Sequence, residues 1–129
     1  MESSKARLLV ATARVARRGA YANHSKFRVG EALLTSRSKV YRGCNIENTS
    51  YGLTACTERV IFFNAIATGE RHFAAIAVVS EGAVTPCGTC RQVMAEFAPT
   101  LNILVADAQH RRTTRIFSLD ELLPSRFSL

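Results

Sequence analysis

The sequence predicts an α/β domain with a three-layer α/β/α arrangement: a mixed five-stranded sheet, its last strand antiparallel, with helices on both faces. Three observations carry this. The apolar runs at 73–79 and 101–106 are continuous rather than alternating, as in strands covered on both faces. A helix-length segment opening at Thr85 separates them. Residues 107–111 are too few for a crossover helix, so the strand that follows returns antiparallel. At 129 residues, the chain suits a single self-sufficient domain spanning 1–129.

The elements follow in order. Ser3 or Ser4 caps a first helix that runs to about Arg18 and is ended by Gly19. Leu8, Leu9, Ala11, Val15 and Ala16 form its expected apolar side, with Arg7, Arg14 and Arg18 opposite. Residues 27–35 and 39–44, joined by Ser36-Arg37-Ser38, read as an antiparallel hairpin. From 45 to 53 the chain is polar and irregular, with Asn45, Glu47, Asn48 and Ser50 offering hydrogen bonds. A second helix is expected at 57–68, with Gly69 as its C′ residue. Its Val60, Ile61, Phe62, Phe63, Ala65, Ile66 and Ala67 leave almost no polar face, so burial on all sides is expected, in part by a neighbouring subunit.

In the third helix, Thr85 is read as N-cap and Pro86 as the first helical residue. Cys90, Val93, Met94 and Phe97 recur at the spacing of one buried face, and Pro99 stops the helix. The fifth strand falls at about 112–117, and Ser118-Leu119-Asp120-Glu121 is a capping box for a last short helix. Lys39 and Arg42 on the second strand, with Arg112 and Arg115 on the fifth, are charges of the kind that protect sheet edges.

The net charge of +7 admits a polyanionic partner. The basic residues are spread along the chain without interleaved aromatics, so a solvated surface is the expected reading and a nucleic-acid partner is not. No run of about twenty apolar residues is present, so no membrane span is expected. Arg14, Arg17 and Arg18 break the only N-terminal apolar patch, which argues against a secretory signal. The cysteines sit in a metal pattern rather than a disulfide framework, which points to a reducing, cytoplasmic setting.

That pattern carries the chemistry. Cys87 and Cys90 are three apart near a helix start, where the dipole and free N–H groups favour thiolates. Cys56 opens the second helix, and Glu58 follows two positions later. Three thiolates with one open position are the ligand set of a catalytic zinc, whereas a structural zinc has four protein ligands. Such an ion makes hydroxide available near neutral pH. Cys44 falls outside the set and reads as a small buried hydrophobe. His24, His72 and His110 read as loop or surface residues.

Cys-x-Glu followed by Pro-Cys-x-x-Cys is the signature of zinc nucleobase deaminases. Ser25-Lys26-Phe27, Val29-Gly30, Gly43-Cys44-Asn45-Ile46-Glu47-Asn48, Ser50-Tyr51-Gly52-Leu53 and Cys90-Arg91-Gln92 narrow the match. Together they resemble the small homotetrameric, zinc-dependent cytidine deaminases, from about Tyr21 to Phe97, with a weaker echo in Glu121-Leu122-Leu123-Pro124 and Phe127. The resemblance implies hydrolytic deamination of cytidine and 2′-deoxycytidine, with release of ammonia, in pyrimidine salvage. It implies one Zn²⁺ per subunit on Cys56, Cys87 and Cys90, with Glu58 as the proton-shuttling general acid and base. It places Phe27 against the pyrimidine, Asn45 and Glu47 at the ribose 3′-hydroxyl, and Thr57 by the pyrimidine amide edge. Tyr51 and Phe127 are expected to reach into a neighbour's pocket. Arg59 is expected to offset the charge of the three thiolates.

The chain departs from the family pattern at three places. Thr57 stands where the family has Ala, Asn23-His24 replace Pro-Tyr, and Glu31 replaces a small residue after Val-Gly. These bear on nucleoside preference. Other readings remain: a deaminase of modified or antibiotic nucleosides, a polynucleotide editor, and a zinc-stabilised module without catalysis. The second is opposed by the missing helix after the fourth strand, and the third has no use for Glu58.

Overall fold

In the computed structural model, residues 3–50, 53–110 and 114–127 are described. The chain folds as α1 (Ser3–Arg17), β1 (Val29–Thr35), β2 (Val40–Cys44), α2 (Thr57–Ala67), β3 (Phe73–Ser80), α3 (Gly88–Phe97), β4 (Asn102–Asp107), β5 (Thr114–Ser118) and α4 (Leu119–Leu122). The sheet order is β2-β1-β3-β4-β5. Among the paired strands of the described residues, β3 and β4 alone run parallel, joined through α3, and β5 returns antiparallel to β4. This is the mixed sheet that the sequence predicts.

Alternation along the strands divides the core in two. Ala32, Ala75, Ala77, Val79, Leu104 and Ala106 pack with Leu9, Val10 and Ala13 of α1 on one face. Leu33, Ile76, Val78, Ile103 and Val105 pack with Ile61 and Phe62 of α2 and Met94 of α3 on the other. The first face is built from small side chains because α1 lies almost against the strands. A Cβ on Gly30 would stand 2.2 Å from the Ala13 carbonyl oxygen and 2.4 Å from the Arg17 nitrogen. Gly30 is therefore the point on which α1 rests.

The face that α1 buries differs from the expected one. Leu9, Val10 and Ala13 are buried, while Leu8, Ala11 and Val15 face outward. Arg14 lies beside the buried face, donating to the Asp107 and Ala108 carbonyls. Those carbonyls at the end of β4 reward an arginine more than another apolar contact would.

The third helix also starts later than expected. Its N-cap is Cys87, and Pro86 lies outside it. Thr85 does not cap; its hydroxyl accepts from Arg91, which also donates to the Pro86 and Leu122 carbonyls. Gly69 does close α2, at φ +103° beyond the C-cap Thr68. The capping box at Ser118 and Glu121 is present. Within the single chain α2 is covered on one side: Ile61, Phe62 and Ala65 are fully enclosed, whereas Phe63 is 51% exposed. Cys44 is half-buried rather than buried. β2 and β5 are the sheet edges, and Arg42 and Arg115 on them are exposed. Arg112 and Tyr51 lie outside the described residues.

Candidate active site

Two helix N-termini meet beyond the carboxyl end of β3. Cys56 is the N-cap of α2 and Cys87 the N-cap of α3, both in extended conformation, and Cys90 sits in the first turn of α3. The loop before α3 is tied down by the three Arg91 contacts. The loop before α2 is held by a bridge between Ile46 and Ala55. Each helix thereby directs its first N–H groups and the positive end of its dipole at the cysteines.

The three Sγ atoms lie within 4.8 Å of one another, and those of Cys87 and Cys90 are 3.3 Å apart. Sulfurs sharing one tetrahedral zinc at 2.3 Å stand about 3.8 Å apart, so the cluster fits that ion. Burial, and then the negative charge of Glu58, push the Cys90 thiol up. A divalent cation is what makes so many neighbouring anions compatible. The Arg59 guanidinium approaches the Cys56 sulfur at 3.8 Å while donating to the Thr54 carbonyl at 2.9 Å.

The cysteines form one wall of a cavity of about 290 Å³. Phe27, Asn45, Glu47, Thr57 and Glu58 line it too, so the structure brings these five together with the metal cluster. Glu58 is 6% exposed and Thr57 2% exposed, and the Thr57 hydroxyl is buried without a hydrogen-bond partner. Phe27 follows Lys26, whose φ of +62° turns the chain into β1. Asn45 clamps that turn, accepting from the Val29 N–H and donating to the Phe27 carbonyl. Glu47 accepts from the His24 and Ser25 N–H groups and from the Ser25 hydroxyl. These bonds, those of Ser25 foremost, hold its carboxyl below the usual carboxylate range.

Phe127 is 72% exposed and does not line this cavity. Sequence reasoning passed over Val78, Ser80 and Val84, which do. The available signal was position: Val78 and Ser80 stand at the carboxyl end of β3, where open α/β sheets bind ligands. It also treated Glu31 only as a departure from a pattern. Glu31 is wholly buried on β1, and neither of its carboxyl oxygens meets a hydrogen-bond donor.

Comparison with known proteins agrees with this geometry. The family described as "Cytidine and deoxycytidylate deaminase zinc-binding region" matches residues 3–106. A cytidine deaminase of Halalkalibacterium halodurans is 46% identical over 128 residues, covering 94% of this chain and 92% of that protein. One from Sporosarcina psychrophila is 54% identical over 91 residues, 69% of this chain and 67% of its own length. The crystal structure of cytidine deaminase from Burkholderia pseudomallei superposes with a TM-score of 0.89 at 47% identity, covering 98% of this chain and 100% of that one.

Proposed function

The chain belongs to the family of the cytidine and deoxycytidylate deaminase zinc-binding region, and from that premise we propose that it hydrolytically deaminates cytidine and 2′-deoxycytidine, releasing ammonia. The observation that carries this is the convergence of three thiols and one buried carboxylate on a single nucleoside-sized cavity. Cys56, Cys87 and Cys90 are the residues that would hold zinc, which when bound lowers the pKa of water to about 7.

Glu58 does the proton work. Its carboxylate accepts a proton from the attacking water and delivers it to ring N3, making C4 more electrophilic. Once the water oxygen has bonded to C4, the same carboxylate takes the remaining proton from that oxygen and passes it to the exocyclic amine, so the C4–N bond breaks, ammonia leaves and C4 keeps a carbonyl oxygen. The Thr57 hydroxyl, buried and unpartnered, is available to the pyrimidine amide edge. Phe27 supplies an apolar wall for the ring, and Asn45 and Glu47 face the sugar. The negative charge of Glu47 disfavours a phosphate there, so free nucleosides are the substrates. Ammonia release should be measured on cytidine, 2′-deoxycytidine, their 5′-phosphates and a single-stranded oligonucleotide. Turnover of the nucleosides is the expected result, and activity on the oligonucleotide alone would overturn it.

The active assembly is proposed to be a homotetramer acting in the cytoplasm. Phe63 on α2 and Phe127 near the C-terminus present 51% and 72% of their surface to solvent in the single chain. Large exposed aromatics on an otherwise apolar helix and beyond the last helix are the expected material of subunit contacts. Among the described residues no helix is long and apolar enough to cross a membrane.

A further inference from the structure

We propose that the side-chain hydroxyl of Thr57 donates to the C2 carbonyl oxygen of the bound pyrimidine and restricts this site to aminated bases that carry oxygen at C2. This rests on the deaminase reading of the cavity and adds a specificity-determining contact to it.

Thr57 opens α2, directly after Cys56 and directly before Glu58. It is 2% exposed, it lines the cavity, and its hydroxyl has no hydrogen-bond partner among the described residues. That isolation has a cause in the helix. A threonine further along a helix returns its hydroxyl to a carbonyl three or four residues back. Thr12 does so to the Leu8 carbonyl at 2.9 Å, and Thr68 to the Asn64 and Ala65 carbonyls at 3.2 and 2.8 Å. For Thr57 the corresponding carbonyls are those of Leu53 and Thr54, which precede the helix, and the Thr54 carbonyl accepts from Arg59. The Glu31 carboxyl is also buried, but neither of its oxygens has a partner, so it does not accept from Thr57. A buried hydroxyl left unpaired carries its full desolvation cost, which a valine of the same shape would avoid. The partner that offsets this cost is a group brought into the cavity.

The chemistry of the base says which group. Proton transfer by Glu58 engages N3 and the exocyclic amine, and C4 takes the incoming oxygen. Apart from N1, which carries the sugar, the polar atom this leaves is O2, next to N3, and a carbonyl oxygen only accepts. Thr57 and Glu58 are consecutive in the first turn of α2 and line the same cavity. The other neutral hydrogen-bonding side chains of the wall are engaged elsewhere. Asn45 bonds to the Val29 N–H and the Phe27 carbonyl, Ser80 to the Val84 N–H, Thr54 to Asn48, and Thr85 to Arg91. A buried donor built for one oxygen rejects an analogue that lacks it, because the donor is then left unpaired.

The test compares wild type with Thr57→Val, which keeps the shape and loses the hydroxyl, and Thr57→Ser, which keeps the hydroxyl. Each is assayed on cytidine and on 2-thiocytidine, whose sulfur is a weak acceptor. Thr57→Val should lower the ratio of kcat/KM for cytidine over 2-thiocytidine by about 10- to 100-fold, and Thr57→Ser should stay within about threefold of the wild-type ratio. Calorimetric binding of uridine and 2-thiouridine, which needs no turnover, should show the same loss of preference in Thr57→Val. The melting temperature of ligand-free Thr57→Val should not fall, because the hydroxyl bonds to nothing in the fold. An unchanged ratio in Thr57→Val, an equal collapse of the ratio in Thr57→Ser, or a melting temperature of Thr57→Val lower by more than about 5 °C would overturn the assignment. Wild-type protein that binds uridine yet leaves cytidine untouched would count against the deaminase reading instead, and the binding preference would still report on Thr57.

Discussion

The Arg59 guanidinium sits 3.8 Å from the sulfur of Cys56, one helical turn before it, and the Arg59 Nε is buried with no partner of its own among the described residues. A cation held there has one evident task, which is to offset the charge of a thiolate. Arg59→Gln should retain the fold and lower kcat/KM or zinc affinity by about 10- to 100-fold, the usual effect of removing a ligand's supporting contact. Steady-state kinetics and a zinc competition titration check this, and a variant equal to wild type in both would contradict it.

Purified protein should carry one zinc per chain. Replacing Cys87 and Cys90 together by Ser should abolish it, because one thiolate at Cys56 cannot hold the ion alone. Metal analysis by mass spectrometry reads the outcome, and a double variant that still holds stoichiometric zinc would place the metal elsewhere.

Glu58→Gln should fold and bind zinc while losing about 10²–10⁴-fold in turnover, since an amide cannot shuttle protons. Retention of more than about a tenth of the wild-type rate would remove Glu58 from the mechanism.

Gly30→Ala tests the packing of α1. Its added carbon would lie 2.2 Å from the Ala13 carbonyl oxygen and 2.5 Å from the Arg17 Cβ, and backbone atoms cannot swing aside. Overpacking of this kind costs about 1–3 kcal/mol or more. A thermal melt should show a drop of roughly 5–15 °C; an unchanged melting temperature would mean that α1 is free to lift off the sheet.

Phe63→Asp should shift the assembly towards smaller species and reduce activity with it, if the exposed face of α2 is a subunit contact. Sedimentation velocity at low micromolar concentration distinguishes the cases. A tetramer unaffected by the charge would move the contact to another surface.

Much of this was readable along the chain because it depends on local spacing. The apolar runs at 73–79 and 101–106 became β3 and β4, the short 107–111 link forced β5 antiparallel, and Ser118 with Glu121 capped α4. The cysteines and Glu58 belong to the same class, since two helix starts bearing thiols are recognisable before either helix is placed. Three features lay beyond the sequence because each depends on what crosses overhead. The buried face of α1 was set by the missing side chain of Gly30 and by the Asp107 and Ala108 carbonyls that accept from Arg14, all distant in sequence. The start of α3 moved to Cys87 because Arg91 holds Thr85 and Pro86 in the preceding loop. Glu31 stood out in the sequence only as a departure from a family pattern, and the register of β1 between β2 and β3 set it under α2, wholly buried. Period and spacing along a chain decide which residues share a face, whereas the chemistry that a face meets is decided by the layer that packs on it.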